Sequence, residues 1–230
     1  MDKEGYIQYL KSKRKENAIN SYLQVLALLE SYLADFTQKR DIDKITKDEF
    51  NDFVTMNKSS FKSYQTLTPI RDYYAYKGNE ELEYLCNQYM GSICLETYKL
   101  SEFMGVEKLI ISKLKKIGIT TAHQMLEKGA KKEGRKLLSE QSGIQEEKIL
   151  ELVKLSNLAR VPGHKKKRTR LYYEAGVDTF DKMAKLTPEE LIKISEKYIE
   201  KSGFDGSAPI YADARFSIEN AKRLPRIIEF

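Results

Sequence analysis

The stretch MGVEKLIISKLKKIGITTAHQML, residues 104–126, aligns without a gap on PGHKKKRTRLYYEAGVDTFDKMA, residues 162–184, at an offset of 58. Gly105 matches Gly163, Gly118 matches Gly176, Thr121 matches Thr179 and Met125 matches Met183. In each copy a first glycine permits a tight turn, about three turns of helix follow, and a second glycine ends the helix in the left-handed conformation. A short second helix then starts from Thr120/Thr121 or Asp178/Thr179, residue types that cap free backbone N–H groups. A repeat of this kind predicts two supersecondary units packed on each other.

The two copies differ in charge where their first helix begins. Copy one places Glu107 there, followed by Leu109, Ile110 and Ile111. An acid suits the positive end of the helix dipole, so this copy reads as a packing scaffold. Copy two places Lys165, Lys166, Lys167 and Arg168 there, with Arg170 just behind, where the dipole disfavours each cation by roughly 0.3–1 kcal/mol when exposed. Lys166 and Arg170 are four residues apart and Lys167 and Arg170 three, so these three cations are expected to project together. A bound phosphate would relieve both the repulsion and the dipole penalty, taking hydrogen bonds from side chains and free N–H groups, with His164 at the turn beside Gly163 either a further donor or a filler of the turn. The expected site is thus Gly163, His164, Lys165, Lys166, Lys167, Arg168 and Arg170.

Outward from the repeat, the periodicity is helical throughout. NAINSYLQVLALLESYLADF spaces Ile19, Tyr22, Leu23, Leu26, Leu29, Leu33 and Phe36 along one face of a helix of about twenty residues. Thr46 with Glu49 forms a capping-box pattern. A helix from Ser60 is expected to bend or break at Pro69 and to end at Gly78, and the next to run to Gly91. Between the copies lie one short helix and a longer one at about 145–160. Thr187, Pro188, Glu190 and Gly203 mark both ends of another helix. FDGSAPIYADARF reads as a loop, Ser217 as the start of the last helix and Pro225 as its end, before an apolar tail expected to dock on the domain. The fold class is all-α: a bundle of four or five helices over residues 1–90, then a second domain over 91–230.

The net charge of +6 is uneven, −1 over residues 1–90 and +7 over 91–230. A localised basic excess fits an anionic partner, most often nucleic acid. No run approaches the ~20 apolar residues of a membrane span, and the N-terminal stretch lacks the apolar core of a signal peptide, so a cytoplasmic location is expected. Cys86 and Cys94 have no ligand partners at metal spacing and read as buried thiols.

Helix, glycine turn, helix is the pattern of a helix-hairpin-helix. The pair, with its GITT and AGVDTF endings and the closing AKRLP, resembles a family of tandem degenerate helix-hairpin-helix domains of unknown function, over residues 92–228. Units of this type that bind DNA use a Gly-apolar-Gly turn whose N–H groups hold a phosphate. Here Gly105-Val106-Glu107 and Gly163-His164-Lys165 both lack the second glycine. Residues 3–85, through YIQYLKSKRKENAINSYLQVLALLESYL, ITKDEFNDFV and SSFKSYQTLTPIRDYYAY, resemble the SAM-like core-binding domain of tyrosine recombinases and phage integrases. That domain clamps one face of DNA. The resemblance implies Lys11, Lys13, Arg14, Lys15 and Asn17, at the entry to the long helix, and Lys58 and Lys62, at the entry to the fourth, as residues near phosphate.

A recombinase also needs a catalytic domain with arginines, histidines and a nucleophilic tyrosine, and the repeat stands in that place. The chain has two histidines, and His164 is followed by Lys167 where the family's His-x-x-Arg would need arginine. His123 reads as a partly buried residue of a short helix. No phosphate-binding glycine loop, dinucleotide fingerprint or nucleophile elbow occurs. The expectation is a non-catalytic, cofactor-free DNA-binding protein, contacting mainly duplex phosphates with low sequence specificity; the alternative is a protein–protein adaptor.

Overall fold

Seven glycines hold a positive φ, and four of them are the repeat glycines: Gly105 at +76° and Gly118 at +78°, Gly163 at +84° and Gly176 at +87°. The backbone therefore repeats along with the sequence. The structure is a computed structural model describing residues 2–37, 41–57, 67–164 and 166–230, apart from the side chains of Cys94, Glu96 and Thr97. Among these residues there are thirteen α-helices and no strand. None of the described helices is long and apolar enough to cross a membrane. The chain divides into two compact units, Met1–Ile93 and Cys94–Phe230.

The first unit contains α1 (Lys3–Lys11), α2 (Glu16–Phe36), α3 (Lys47–Met56), α4 (Thr68–Tyr76) and most of α5 (Glu80–Thr97). Thr46 caps α3 through the Glu49 N–H, and the Glu49 carboxylate returns to the Thr46 N–H at 2.8 Å, the reciprocal box expected from sequence. Leu26, Leu29 and Leu33 of α2 enter a core with Tyr6, Phe50, Phe53, Tyr73 and Tyr74. Buried phenols find backbone acceptors, Tyr6 at the Pro69 carbonyl (3.2 Å) and Tyr74 at the Ile42 carbonyl (3.0 Å). Phe36, placed on the buried stripe by its spacing, is 62% exposed, because α2 ends there. Pro69 occupies the first turn of α4, where its missing N–H has no intrahelical partner to lose. The residues before 67 in that expected helix lie outside the described ones. Gly91 does not stop α5, which continues to Thr97. Cys86 is buried and burial pushes its thiol pKa up, as a structural thiol requires; the Cys94 side chain lies outside the described residues.

The second unit is built from two four-helix repeats. Repeat one is α6 (Lys108–Lys116), α7 (Ala122–Gly129), α8 (Lys132–Ser142) and α9 (Glu146–Leu158). Repeat two is α10 (Lys166–Glu174), α11 (Phe180–Ala184), α12 (Pro188–Ser202) and α13 (Tyr211–Arg223). In each, the second helix packs on the fourth: α7 on α9 and α11 on α13. Leu114, Met125, Leu138, Ile149 and Val153 form one core, and Leu171, Tyr172, Phe180, Met183 and Ile218 the other, with Tyr173 packed against both. The repeat of helices is thus about twice as long as the gap-free alignment indicated.

The helix ends follow one mechanism. Gly118 N–H bonds the Lys115 carbonyl at 3.1 Å and Ile119 N–H the Leu114 carbonyl at 3.0 Å. Gly176 to Tyr173 (3.1 Å) and Val177 to Tyr172 (2.8 Å) repeat that Schellman pairing. Thr121 and Thr179 each cap the next helix, accepting from the N–H three residues on. α13 begins at Tyr211, six residues before the expected Ser217, and Ser217 sits buried inside it. The tail docks as expected: Glu229 N–H reaches the Ala130 carbonyl at 2.9 Å, and the buried Arg135 donates to the carbonyls of Gly129, Ala130 and Glu229.

Candidate nucleic-acid interface

At the turn into α10, Gly163 takes its positive φ and the His164 N–H closes the turn on the Val161 carbonyl at 3.0 Å. This puts the His164 ring inside the protein, in the slot that Val106 fills in repeat one. Its Nδ1 lies 3.1 Å from the Leu158 carbonyl and its Nε2 2.8 Å from Ser217 Oγ. A carbonyl only accepts, so Nδ1 carries the proton and Nε2 accepts. Burial, aided by the neighbouring Arg168 cation, lowers the His164 pKa to about 3 and keeps the ring neutral. His164 is therefore a structural pin, and the expected hydrogen bond from it to phosphate is corrected.

Arg170 is corrected as well. It does not project with Lys166 and Lys167 but turns inward, its side chain only 6% exposed. Nε donates to the Met104 carbonyl at 2.6 Å, and Nη1 to Glu151 at 2.7 Å and Glu174 at 3.0 Å. Its guanidinium lies 3.4 Å from where a Cβ on Gly105 would stand. Arg170 thus ties the first helix of repeat two to the turn of repeat one.

The remaining cations share one surface. Lys166 and Lys167 are exposed and Arg168 is half-buried. Gly163, Lys166, Lys167 and Arg168 line one side of a cleft of about 570 Å³, and Phe204, Asp205, Gly206 and Ser207 the other. Lys167 Nζ pairs with Asp205 at 2.8 Å, and an Arg168 amino group with Asp213 of α13 at 3.3 Å. Lys166 makes no ion pair among the described residues. Lys165 lies outside them. Asp205 and Asp213 had no place in the sequence reading, since the cue for them was two acids around a glycine loop some forty residues downstream.

In the first unit, Lys11, Lys13, Arg14, Lys15 and Asn17 all lie exposed where α1 gives way to α2. Two of them are already engaged. Lys13 bonds the Tyr9 hydroxyl at 2.8 Å and lies over its ring, and Arg14 pairs with Asp72 at 2.9 Å, an acid it shares with Arg71. Lys58 and Lys62 lie outside the described residues. His123 is exposed on α7, not partly buried. No group of three or more His, Cys, Asp or Glu residues that could hold a metal occurs among the described residues.

Helices, glycine-turn repeats and paired cores define the second unit as an all-helical tandem-repeat domain. The model of a domain of unknown function, DUF4332, matches residues 105–224, from the glycine of the first turn to the end of α13 and more than half of the chain. The chain belongs to that family. The model of the phage integrase N-terminal SAM-like domain matches residues 4–81, within the first unit. Comparison with curated proteins and with solved structures found no match.

Proposed function

We propose that the chain is a non-catalytic DNA-binding protein that holds duplex phosphates through the turn into α10, with Lys166, Lys167 and Arg168 as ligands and Gly163 allowing close approach. The observation that carries this reading is the cation cluster on the first turn of a nine-residue helix, beside an open cleft. A helix's first turn presents backbone N–H groups to an anion, and these side chains add their charge at the same end. The turn has the form of a degenerate helix-hairpin-helix: an inward residue, His164, follows the glycine, and lysine replaces the second glycine. Side-chain cations then take over the contact that backbone alone makes in a glycine-rich turn.

Similarity of the first unit to an integrase N-terminal domain supports the same reading, with Lys11, Lys13, Lys15 and Asn17 as its phosphate-facing residues. The matched integrase model is that of the N-terminal domain alone, and the reading needs no cofactor. The test is fluorescence anisotropy of a labelled duplex at about 50 and 200 mM salt, a range over which phosphate-dominated binding weakens by orders of magnitude. Lys166→Glu/Lys167→Glu should abolish binding, and salt-independent binding would contradict it.

A further inference from the structure

The cations of the cleft are not waiting bare. Lys167 is 52% exposed and its partner Asp205 83% exposed, so neither charge needs the other for burial. Asp205 nevertheless sits across the cleft at 2.8 Å, on the loop between α12 and α13. Asp213, on the first turn of α13, meets Arg168 from the same repeat. Asp205 lines the cleft and pairs with Lys167, and Asp213 pairs with Arg168, so both cations that a bridging phosphate would use already hold a carboxylate.

We infer that Asp205 and Asp213 act as built-in phosphate surrogates, so that DNA binding at this turn is an exchange of carboxylate for phosphate and the two acids set its affinity. The inference rests on the DNA-binding reading above. The exposed Lys167–Asp205 pair is weak enough for a phosphodiester backbone to displace, and Asp213, itself more than half exposed, adds a measurable competition at the half-buried Arg168. They also hold the lysine and arginine extended into the cleft, at the cost of an occupied site. In repeat one the equivalents of Lys167 and Arg168 are Leu109 and Ile110, so such acids would have nothing there to oppose.

The experiment is a titration of labelled duplex DNA with the full chain as wild type, Asp205→Asn, Asp205→Asn/Asp213→Asn and Glu196→Gln. Glu196 is an exposed acid of α12, and its variant changes net charge without touching the cleft. Each carboxylate removed should tighten binding about two- to fivefold, the span of an exposed ion pair. The slope of log K against log salt should stay close to that of wild type, since the same cations meet phosphate in the complex. Glu196→Gln should match wild type. Wild-type binding left unchanged by both Asp variants overturns this inference alone, as does equal tightening by Glu196→Gln. No binding by wild type or any variant overturns the DNA reading as well.

Discussion

Arg170 Nε donates to the carbonyl of Met104 across 66 residues of sequence, at 2.6 Å, joining the first helix of one repeat to the turn of the other. Since Nη1 also meets Glu151 and Glu174, the guanidinium is the charged centre of the contact between repeats. Removing one partner of a buried pair leaves the others uncompensated. Arg170→Met should therefore cost about 3–5 kcal/mol in urea unfolding. Adding Glu151→Gln should recover part of that loss, a non-additivity expected of groups in one network. Arg170→Lys, if folded at the assay temperature, should leave duplex affinity within about twofold, since position 170 does not face the cleft.

Gly105 and Gly163 occupy equivalent turns with different surroundings. A Cβ at Gly163 meets nothing within 4 Å, whereas at Gly105 it meets the Arg170 guanidinium. Alanine at either position should lose about 1–2 kcal/mol through its positive φ. At 3.4 Å the approach at Gly105 is ordinary contact, so the two variants should lose similar amounts, and comparing their denaturation midpoints checks this.

His164 makes stability pH-dependent in a definite direction. Its pKa is lowered from 6.5 to about 3 by burial, so the unfolded chain binds a proton that the folded ring refuses. Its contribution is fully present above pH 6.5 and is lost as pH falls toward 3. The slope in that window approaches 1.4 kcal/mol per pH unit for one proton. The residue of repeat one supplies the control: His164→Val should flatten the stability profile between pH 6.5 and 5 relative to wild type.

The docked tail offers a separate check on packing. Arg135 satisfies three carbonyls, one of them in the tail at Glu229, from a buried position. Arg135→Met removes the donors and costs the buried Gly129 carbonyl its bond to the guanidinium, at about 1–3 kcal/mol. Faster hydrogen exchange at the Glu229 amide, which bonds the Ala130 carbonyl, should accompany it.

What could be read in the sequence was what is local. Thr46, Thr121, Thr179 and Thr187 cap helices because a hydroxyl reaches an N–H three residues on whatever the tertiary context. Gly118 and Gly176 end helices because their backbone alone tolerates the required φ. The start of α13 escaped because Ile210, its N-cap, offers no side-chain bond. That helix is held by Ala214, Ile218 and Ala221, buried in the core of repeat two beside α11, a contact that leaves no mark on the start signal. Pro69 suits a helix break and a helix's first turn alike, and local sequence does not choose between them. At the site, spacing put Arg170 on a face with Lys166, but Glu151 on α9 and the Met104 carbonyl decide its direction, and both are remote in sequence. The same remoteness hid Asp205 and Asp213. Lys166, Lys167 and Arg168 stood out because their charge violates a local rule, the helix dipole, within one turn.

The central claim is that this turn holds DNA through phosphate. Its most direct measurement is the affinity of a labelled duplex for wild type and for Lys166→Glu/Lys167→Glu across a salt series. The account predicts wild-type binding whose log K falls linearly with log salt, with loss of binding in the variant while its thermal unfolding stays cooperative. A folded variant that binds with wild-type affinity and slope would contradict it.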